Sequence, residues 1–162
     1  MLFFSPQKQL PLLFSKRMNA VDALLFVVFF ALFWCAVNFV SSILSGWSSL
    51  RNIYSTPIQS GKIISKRNFA SVSFGNSPFL TRFTYSMNVR VYSNGICLQP
   101  ISIFRMFKPL LTIPWESIYD AQKSESFIFS FNFRVKGAWP KIFIYENIGR
   151  IVAEQYAVRN DP

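Results

Sequence analysis

The sequence predicts an α+β membrane protein: one N-terminal transmembrane helix, an antiparallel β-sheet or partial barrel, and a C-terminal amphipathic helix. Three observations lead to this fold class. An uncharged apolar run covers residues 23–44, the hydrophobic period changes from helical to alternating after Gly61, and an apolar stripe at helical spacing follows near the C-terminus. A chain of 162 residues has room for an anchor and one modest domain.

The apolar run reads ALLFVVFFALFWCAVNFVSSIL, and its only polar members are Asn38, Ser41 and Ser42. At a rise of about 1.5 Å per residue it extends roughly 33 Å, enough to cross a hydrocarbon core of about 30 Å. A signal peptide would have a shorter apolar region and a small-residue cleavage site. A buried helix of a soluble protein would show a polar face, and this run shows none. We therefore predict a transmembrane helix over residues 20–46, preceded by an interfacial or disordered segment over residues 1–19.

Four residues that flank the run are candidate interfacial anchors. Lys16 and Arg17 precede it, and Trp47 and Arg51 follow it. Residues 47–60 are predicted to form a juxtamembrane linker, in which the helix continues for a turn or two before Pro57 stops it. The domain proper is then predicted over residues 61–162.

The alternating pattern predicts about seven strands. The clearest runs cover residues 79–92 and 126–135, where large apolar side chains fall on one face and polar side chains on the other. Asn94 and Gly95 form a dipeptide favoured in two-residue type I′ hairpin turns. Further strands are predicted near residues 62–66, 70–74, 96–101, 110–115, 117–122 and 141–145, with turns at 123–126 and 136–140. The C-terminal helix is predicted over residues 147–159, with Asn147 as a possible N-cap. This order of elements is that of pleckstrin-homology-like (PH-like) domains.

One loop of the predicted domain is a candidate contact surface. It reads FRMFK, residues 104–108. In one interpretation Phe104, Met106 and Phe107 enter the membrane interface while Arg105 and Lys108 hold lipid phosphates. In the other, the apolar residues fold back over the mouth of the barrel and the basic residues only solvate the loop. Outward-facing basic residues on neighbouring strands would extend the basic surface: Arg82, Arg90, Arg134 and Lys136.

Composition argues against several classes of function. The chain has no His and two Cys, which excludes Ser–His and Cys–His catalysis and leaves too few ligands for a structural zinc site. No Gly-rich phosphate loop and no clustered carboxylates are present. We therefore predict a protein that is not an enzyme and that uses no metal or cofactor. Residues 51–162 hold fourteen basic and six acidic residues, a net charge of +8, but show no nucleic-acid-binding signature.

Specific short motifs resemble those of a family of small uncharacterised bacterial single-span membrane proteins with a β-rich domain of the PH or GRAM type. The motifs are Gly46-Trp47, where the chain leaves the membrane, Gly95 with Leu98, and Ile113-Pro114-Trp115. The resemblance extends over roughly residues 44–156. It implies a PH-like fold and a bacterial inner-membrane location. Domains of this type are mainly lipid- or protein-binding modules, and that implication rests on the fold alone.

Two functional hypotheses follow. The first is a membrane-anchored, non-enzymatic binding or adaptor protein whose basic domain sits at the membrane surface and binds an anionic lipid or a protein. The second is an accessory subunit of a larger membrane complex. Orientation is balanced: Lys16 and Arg17 favour a cytoplasmic N-terminus, whereas the basic domain and the unpaired Cys97 favour a cytoplasmic C-terminal domain. We predict the latter.

Overall fold

The computed structural model describes residues 19–56, 61–75, 83–124 and 130–160. The chain forms two compact units, residues 1–34 and 35–162. Several predictions lie outside the described residues: the segment before residue 19, the anchors Lys16 and Arg17, the candidate contact Arg82, and the ends of the strands predicted from residues 79 and 126.

Helix α1 covers Ala20–Leu44. Among the described residues it is the one helix that is long and apolar enough to cross a membrane, and the same length and composition also fit a signal sequence. Its described part in the first unit is exposed along almost its whole length. In the second unit, Asn38 and Ser42 are buried. The last two turns of α1 therefore present a polar face to the domain.

A sharp corner follows α1, within the range predicted for the transmembrane helix. Gly46 adopts a left-handed conformation with φ of 75°, and its N–H donates to the carbonyl of Ile43 at 3.0 Å. Helix α2 then covers Trp47–Tyr54. The prediction of Trp47 as an interfacial anchor is wrong, because its side chain is fully buried and packs edge-on against Phe74, with 5.1 Å between the ring centroids.

The rest of α2 also belongs to the domain. Leu50 and Tyr54 join the hydrophobic core, and the Tyr54 hydroxyl donates to the carbonyl of Lys136 at 2.6 Å. Arg51, the other predicted anchor on this side, is exposed. Residues 47–54 are thus part of the folded domain, which begins before the predicted boundary at residue 61.

Within the described residues, seven antiparallel strands form one sheet, in the order β4-β3-β2-β1-β7-β6-β5. Their bounds are β1 Ile63–Gly75, β2 Phe83–Tyr92, β3 Gly95–Pro100, β4 Leu111–Pro114, β5 Ile118–Ser124, β6 Ser130–Val135 and β7 Lys141–Tyr145. The eight predicted strand segments correspond to these seven strands, because the segments 62–66 and 70–74 join in β1. The alternation predicted for β2 is confirmed, since every second residue from Tyr85 to Val91 is buried.

The two edge strands of the sheet are neighbours in sequence. A single 3₁₀ turn, Trp115–Ser117, joins the end of β4 to the start of β5. The sheet must therefore curl until its edges approach each other, which gives a half-barrel. Pro114 ends an edge strand, where its missing N–H removes no ladder bond. Trp115 is buried at the corner, as predicted, and its indole N–H donates to the carbonyl of Tyr92 at 3.2 Å.

The hairpin between β2 and β3 forms as predicted, but with a different turn. Tyr92 pairs with Gly95, so the two loop residues are Ser93 and Asn94, and neither has a positive φ. The turn is therefore not type I′. Its geometry is set by its neighbours, because Ser93 exchanges hydrogen bonds with Lys62 and the carbonyl of Asn94 accepts from the N–H of Trp115.

Strand β1 joins the two strands that were predicted before and after residues 67–69. A bulge between Arg67 and Ala70 separates its exposed first half from its buried second half. Within this bulge Phe69 adopts a φ of 57° and is 70% exposed. The bulge restores pairing with β2 after the interruption and lifts Asn68 and Phe69 out of the ladder.

Helix α3 covers Glu146–Asn160 and packs across β1, β6 and β7. It begins directly after β7, one residue before the predicted N-cap Asn147. Gly149 lies against the sheet, since a Cβ at this position would stand 2.3 Å from the backbone carbonyl oxygen of Ile144. Ile148 and Val152 extend the core on this side. A helix-weakening glycine is therefore needed here for close helix–strand packing.

Candidate functional site

The predicted contact loop, residues 101–110, joins β3 to β4 and starts with a 3₁₀ turn over Ser102–Phe104. Its side chains face in different directions. Ile103 and Met106 are 58% and 63% exposed, Arg105 is exposed, and Phe104 and Phe107 are half-buried. Lys108 is fully buried. The prediction that Lys108 holds lipid phosphates is therefore wrong, because its ammonium group does not reach the surface.

The buried ammonium of Lys108 is held by neutral groups. Nζ donates to the hydroxyl of Ser41 in α1 at 2.9 Å and lies 4.7 Å from the ring centroid of Tyr85. The Tyr85 hydroxyl in turn donates to the carbonyl of Ser41 at 3.2 Å. Among the described residues no carboxylate lies within ion-pair distance of Lys108. Burial lowers the pKa of Lys108 from its usual 10.5 to about 8.

Further contacts fasten the loop to the last turns of α1. The hydroxyl of Ser42 donates to the carbonyl of Phe107 at 3.2 Å, and the Phe107 ring packs edge-on against Phe39 with 5.6 Å between centroids. Nearer the tip of the loop, the sulfur atoms of Cys35 and Met106 are 3.4 Å apart. The loop is therefore held by α1 residues 35–42, while its tip residues Ile103 and Met106 remain exposed.

A cleft of about 530 Å³ opens beside the first turn of this loop. It lies on the outer face of the sheet, opposite the core, over β1, β2 and the end of β3. The residues that line it are Lys66, Asn68, Phe69, Asn88, Arg90 and residues 101–103.

The cleft is electropositive. Lys66 and Arg90 are direct partners across the β1–β2 ladder, so their side chains project from the same face. Asn88 lies two residues from Arg90 on that face, and among the described residues no Asp or Glu lines the cleft. Arg90 also influences the thiol of Cys97, its partner on β3: burial raises the pKa of that thiol, and the positive charge of Arg90 partly offsets the effect.

The other basic candidates lie elsewhere on the domain. Arg134 is on β6, separated from β2 by β1 and β7, and its Nε lies 3.4 Å from a carboxylate oxygen of Asp120. Lys141 lies 3.4 Å from the same oxygen. Lys136 is exposed in the turn after β6. The structure thus places Arg90 beside the loop and does not bring Arg134 or Lys136 to it.

Of the residues that line the cleft, only Arg90 was among the predicted site residues. Asn88 was detectable in principle, because the alternation of β2 places it on the same outward face as Arg90. The placement of Asn68 and Phe69 depends on the bulge in β1, which has no signature in the residue pattern. Lys66 was recognised as a basic residue after the span, but not as the partner of Arg90.

Comparisons with known proteins find similar solved structures. No family model and no curated protein matches the chain. Solved structures that are similar to it include the N-terminal PH domain of Vps36, with 13% identity, 64% of this chain and 81% of that chain covered, and a TM-score of 0.44. A chain of the 8S snRNP assembly intermediate matches with 11% identity, coverage of 64% and 84%, and a TM-score of 0.42.

The C-terminal domain of an unknown protein from Leishmania infantum matches with 8% identity, coverage of 60% and 83%, and a TM-score of 0.41. One of these three structures is a PH domain, the domain type that the sequence resemblance implied.

Proposed function

We propose that the protein is a single-span membrane protein whose β-domain is a non-catalytic binding module held at the bilayer surface. One observation carries the proposal: the network of Lys108, Ser41 and Tyr85 fastens the 101–110 loop to the apolar helix α1. This network also favours a retained anchor over a cleaved signal sequence, because cleavage at the end of α1 would remove Ser41 and Ser42, which hold the ammonium of Lys108 and the carbonyl of Phe107.

The contact between Cys35 and Met106 sets the depth of the loop in this proposal. Cys35 lies nine residues before the last residue of α1, or about 14 Å along the helix axis. The whole helix is about 37 Å long against a hydrocarbon core of about 30 Å. With α1 across the bilayer, the exposed Ile103 and Met106 lie at or below the headgroup level, and Arg105 beside them meets lipid phosphates.

The net charge of +8 on residues 51–162 suits an anionic leaflet, to which each well-placed basic residue contributes about 1 kcal/mol. Together with the sequence resemblance, this supports the cytoplasmic leaflet of a bacterial inner membrane as the location and an anionic lipid as the ligand class. The proposed module needs no metal, cofactor or nucleic acid.

The proposal is tested by measuring, with a fluorescent label, how deeply the loop enters the bilayer. An environment-sensitive dye is attached at position 106 of the full-length M106C variant, with Cys35→Ser and Cys97→Ala removing the native thiols. The labelled protein is reconstituted into vesicles of anionic and of neutral lipids. We expect blue-shifted emission and quenching by lipids that carry bromine on their acyl chains.

The matched control carries the same dye at position 123 in the same background. Lys123 is exposed on β5, the edge strand opposite β4 in the sheet order, and we expect water-like emission there. If the dye at position 106 emits and resists quenching like the dye at position 123 in both vesicle types, the loop does not enter the bilayer and the proposal fails.

A further inference from the structure

The cleft over β1 and β2 has the features of an anion site. Its two cations, Lys66 and Arg90, stand side by side on adjacent strands, and Asn68 and Asn88 add amide donors. The Nε atom of Arg90 is buried and has no hydrogen-bond partner within the described part of the chain. A buried charged donor is normally paired, so this atom calls for an acceptor that the protein itself does not supply.

The shape of the cleft indicates a ligand larger than a bare anion. A volume of about 530 Å³ lies in the range of small-molecule sites. Its rim is apolar: Phe69 and Ile103 are 70% and 58% exposed, and the bulge in β1 holds Phe69 there in a left-handed conformation. A buried guanidinium nitrogen of Arg90, the exposed cation Lys66 and the apolar side chains of Phe69 and Ile103 match an amphiphile with a charged head.

The cleft is continuous with the loop that is fastened to α1. Residues 101–103 form one wall of the cleft, and the same loop contacts α1 from Met106 to Lys108. With the loop at the bilayer surface, the cleft lies next to the lipid headgroups.

We propose that this cleft binds a phosphate group, supplied by the headgroup of an anionic membrane lipid. Arg90 and Lys66 contact the phosphate oxygens, Asn88 donates a further hydrogen bond, and Phe69 and Ile103 contact the apolar part of the ligand. The inference rests on the proposed function, because that function supplies the lipid; a soluble phosphate compound offers the same chemistry from another source.

Lipid binding is tested on the full-length protein in neutral detergent. Native mass spectrometry counts the lipid adducts formed with phosphatidic acid, phosphatidylglycerol and phosphatidylcholine. Calorimetric titration with inorganic phosphate forms a separate arm. We expect discrete adducts with the two anionic lipids, at affinities at least tenfold above phosphatidylcholine, because the zwitterionic headgroup cancels much of the attraction.

Two variants locate the site. Lys66→Gln removes an exposed charge with little risk to folding, and Arg90→Gln removes the guanidinium whose Nε atom has no hydrogen-bond partner within the described residues. We expect each to weaken anionic-lipid binding about tenfold, since hydrogen bonds to charged groups are each worth roughly one order of magnitude in affinity. Arg134→Gln is the matched control. It removes an arginine of β6 that is already paired with Asp120, so lipid binding should stay within twofold.

The possible outcomes distinguish a lipid from a soluble phosphate as the ligand. They also distinguish failure of the cleft proposal from failure of the proposed function. Anionic adducts that Lys66→Gln weakens support the lipid site. Binding of inorganic phosphate alone, lost in the same variants, supports the phosphate site but overturns the lipid as its source. Absence of both, or adducts equally strong in Lys66→Gln, Arg90→Gln and Arg134→Gln, overturns the site. The dye at position 106 reports on the proposed function independently, because Met106 does not line the cleft.

Discussion

Lys108 shows how one residue can link a soluble-type domain to an apolar helix. A charge without a carboxylate partner is costly to bury, yet this ammonium is enclosed by a serine hydroxyl and a tyrosine ring. Both groups favour the charged form without neutralising it, and burial still dominates the pKa. Stability should therefore depend on pH at this residue.

The Lys108→Met substitution should remove a specific pH dependence. The pKa of Lys108 is about 8 in the folded protein and has its usual value of 10.5 in the unfolded chain. Between pH 8 and 10.5 the unfolded chain therefore binds the proton more tightly than the folded protein does. The free energy of unfolding of the native protein should rise across this window by roughly 3 kcal/mol. In Lys108→Met this rise should be absent, as measured by denaturant unfolding of the full-length protein in neutral detergent from pH 7 to 10.5.

Lys123→Met is the control for the other lysines and tyrosines that titrate in the same range. Lys123 is exposed on β5, so its replacement should leave the pH profile parallel to that of the native protein. Parallel profiles for the native protein and Lys108→Met would show that the ammonium is not buried.

At the scale of elements, the corner between α1 and α2 depends on Gly46. A Cβ at this position would lie 2.7 Å from the ring of Trp139 and 2.9 Å from Pro140, and the φ of 75° is unfavourable for any residue with a Cβ. The corner directs Trp47 into the core instead of toward the membrane interface. In the Gly46-Trp47 motif, the glycine thus permits the corner and the tryptophan packs into the core.

Gly46→Ala should therefore destabilise the whole domain. The left-handed conformation costs about 1–2 kcal/mol and the overpacking against Trp139 about 1–3 kcal/mol, which together predict a loss of roughly 2–5 kcal/mol. Arg51→Ala, an exposed substitution in α2, should change the free energy of unfolding by less than about 0.5 kcal/mol. A loss for Gly46→Ala as small as that for Arg51→Ala would contradict the close contact.

The residue pattern of a segment predicted those elements whose buried and exposed positions follow from the segment's own sequence. The alternation from Tyr85 to Val91 identified β2, and Pro114 with Trp115 identified a strand end and a core corner. The burial of Lys108 was not predictable, because it depends on Ser41, 67 positions earlier, and a loop has no period. Trp47 was misassigned for a similar reason: beside an apolar helix an aromatic residue reads as interfacial, and only its contact with Phe74 shows otherwise.

At the scale of the whole molecule, the residue at which the domain begins determines whether a fragment of the chain is stable. Trp47, Leu50 and Tyr54 lie in the core, so a fragment that starts at residue 58 lacks three buried side chains. Loss of a large core side chain costs about 2–5 kcal/mol, and three such losses reach the total stability of a typical domain, about 5–15 kcal/mol.

We therefore expect residues 58–162 to be unfolded and residues 35–162, the second compact unit, to be folded. Near-ultraviolet circular dichroism and cooperative thermal unfolding of the two purified fragments in neutral detergent distinguish these states. A cooperative transition for 58–162 at the same temperature as for 35–162 would show that residues 35–57, including α2, are dispensable.

The hydrogen bond from Tyr54 to Lys136 also bears on how the chain is made. The two residues are 82 positions apart. At about 5–20 residues per second, synthesis of the intervening chain takes roughly 4–16 s. During that interval α2 cannot complete its packing, because its partner has not yet been synthesised. In the proposed membrane protein, maturation of the domain is thus tied to membrane insertion: the nascent chain folds onto a segment that the translocation machinery has already released.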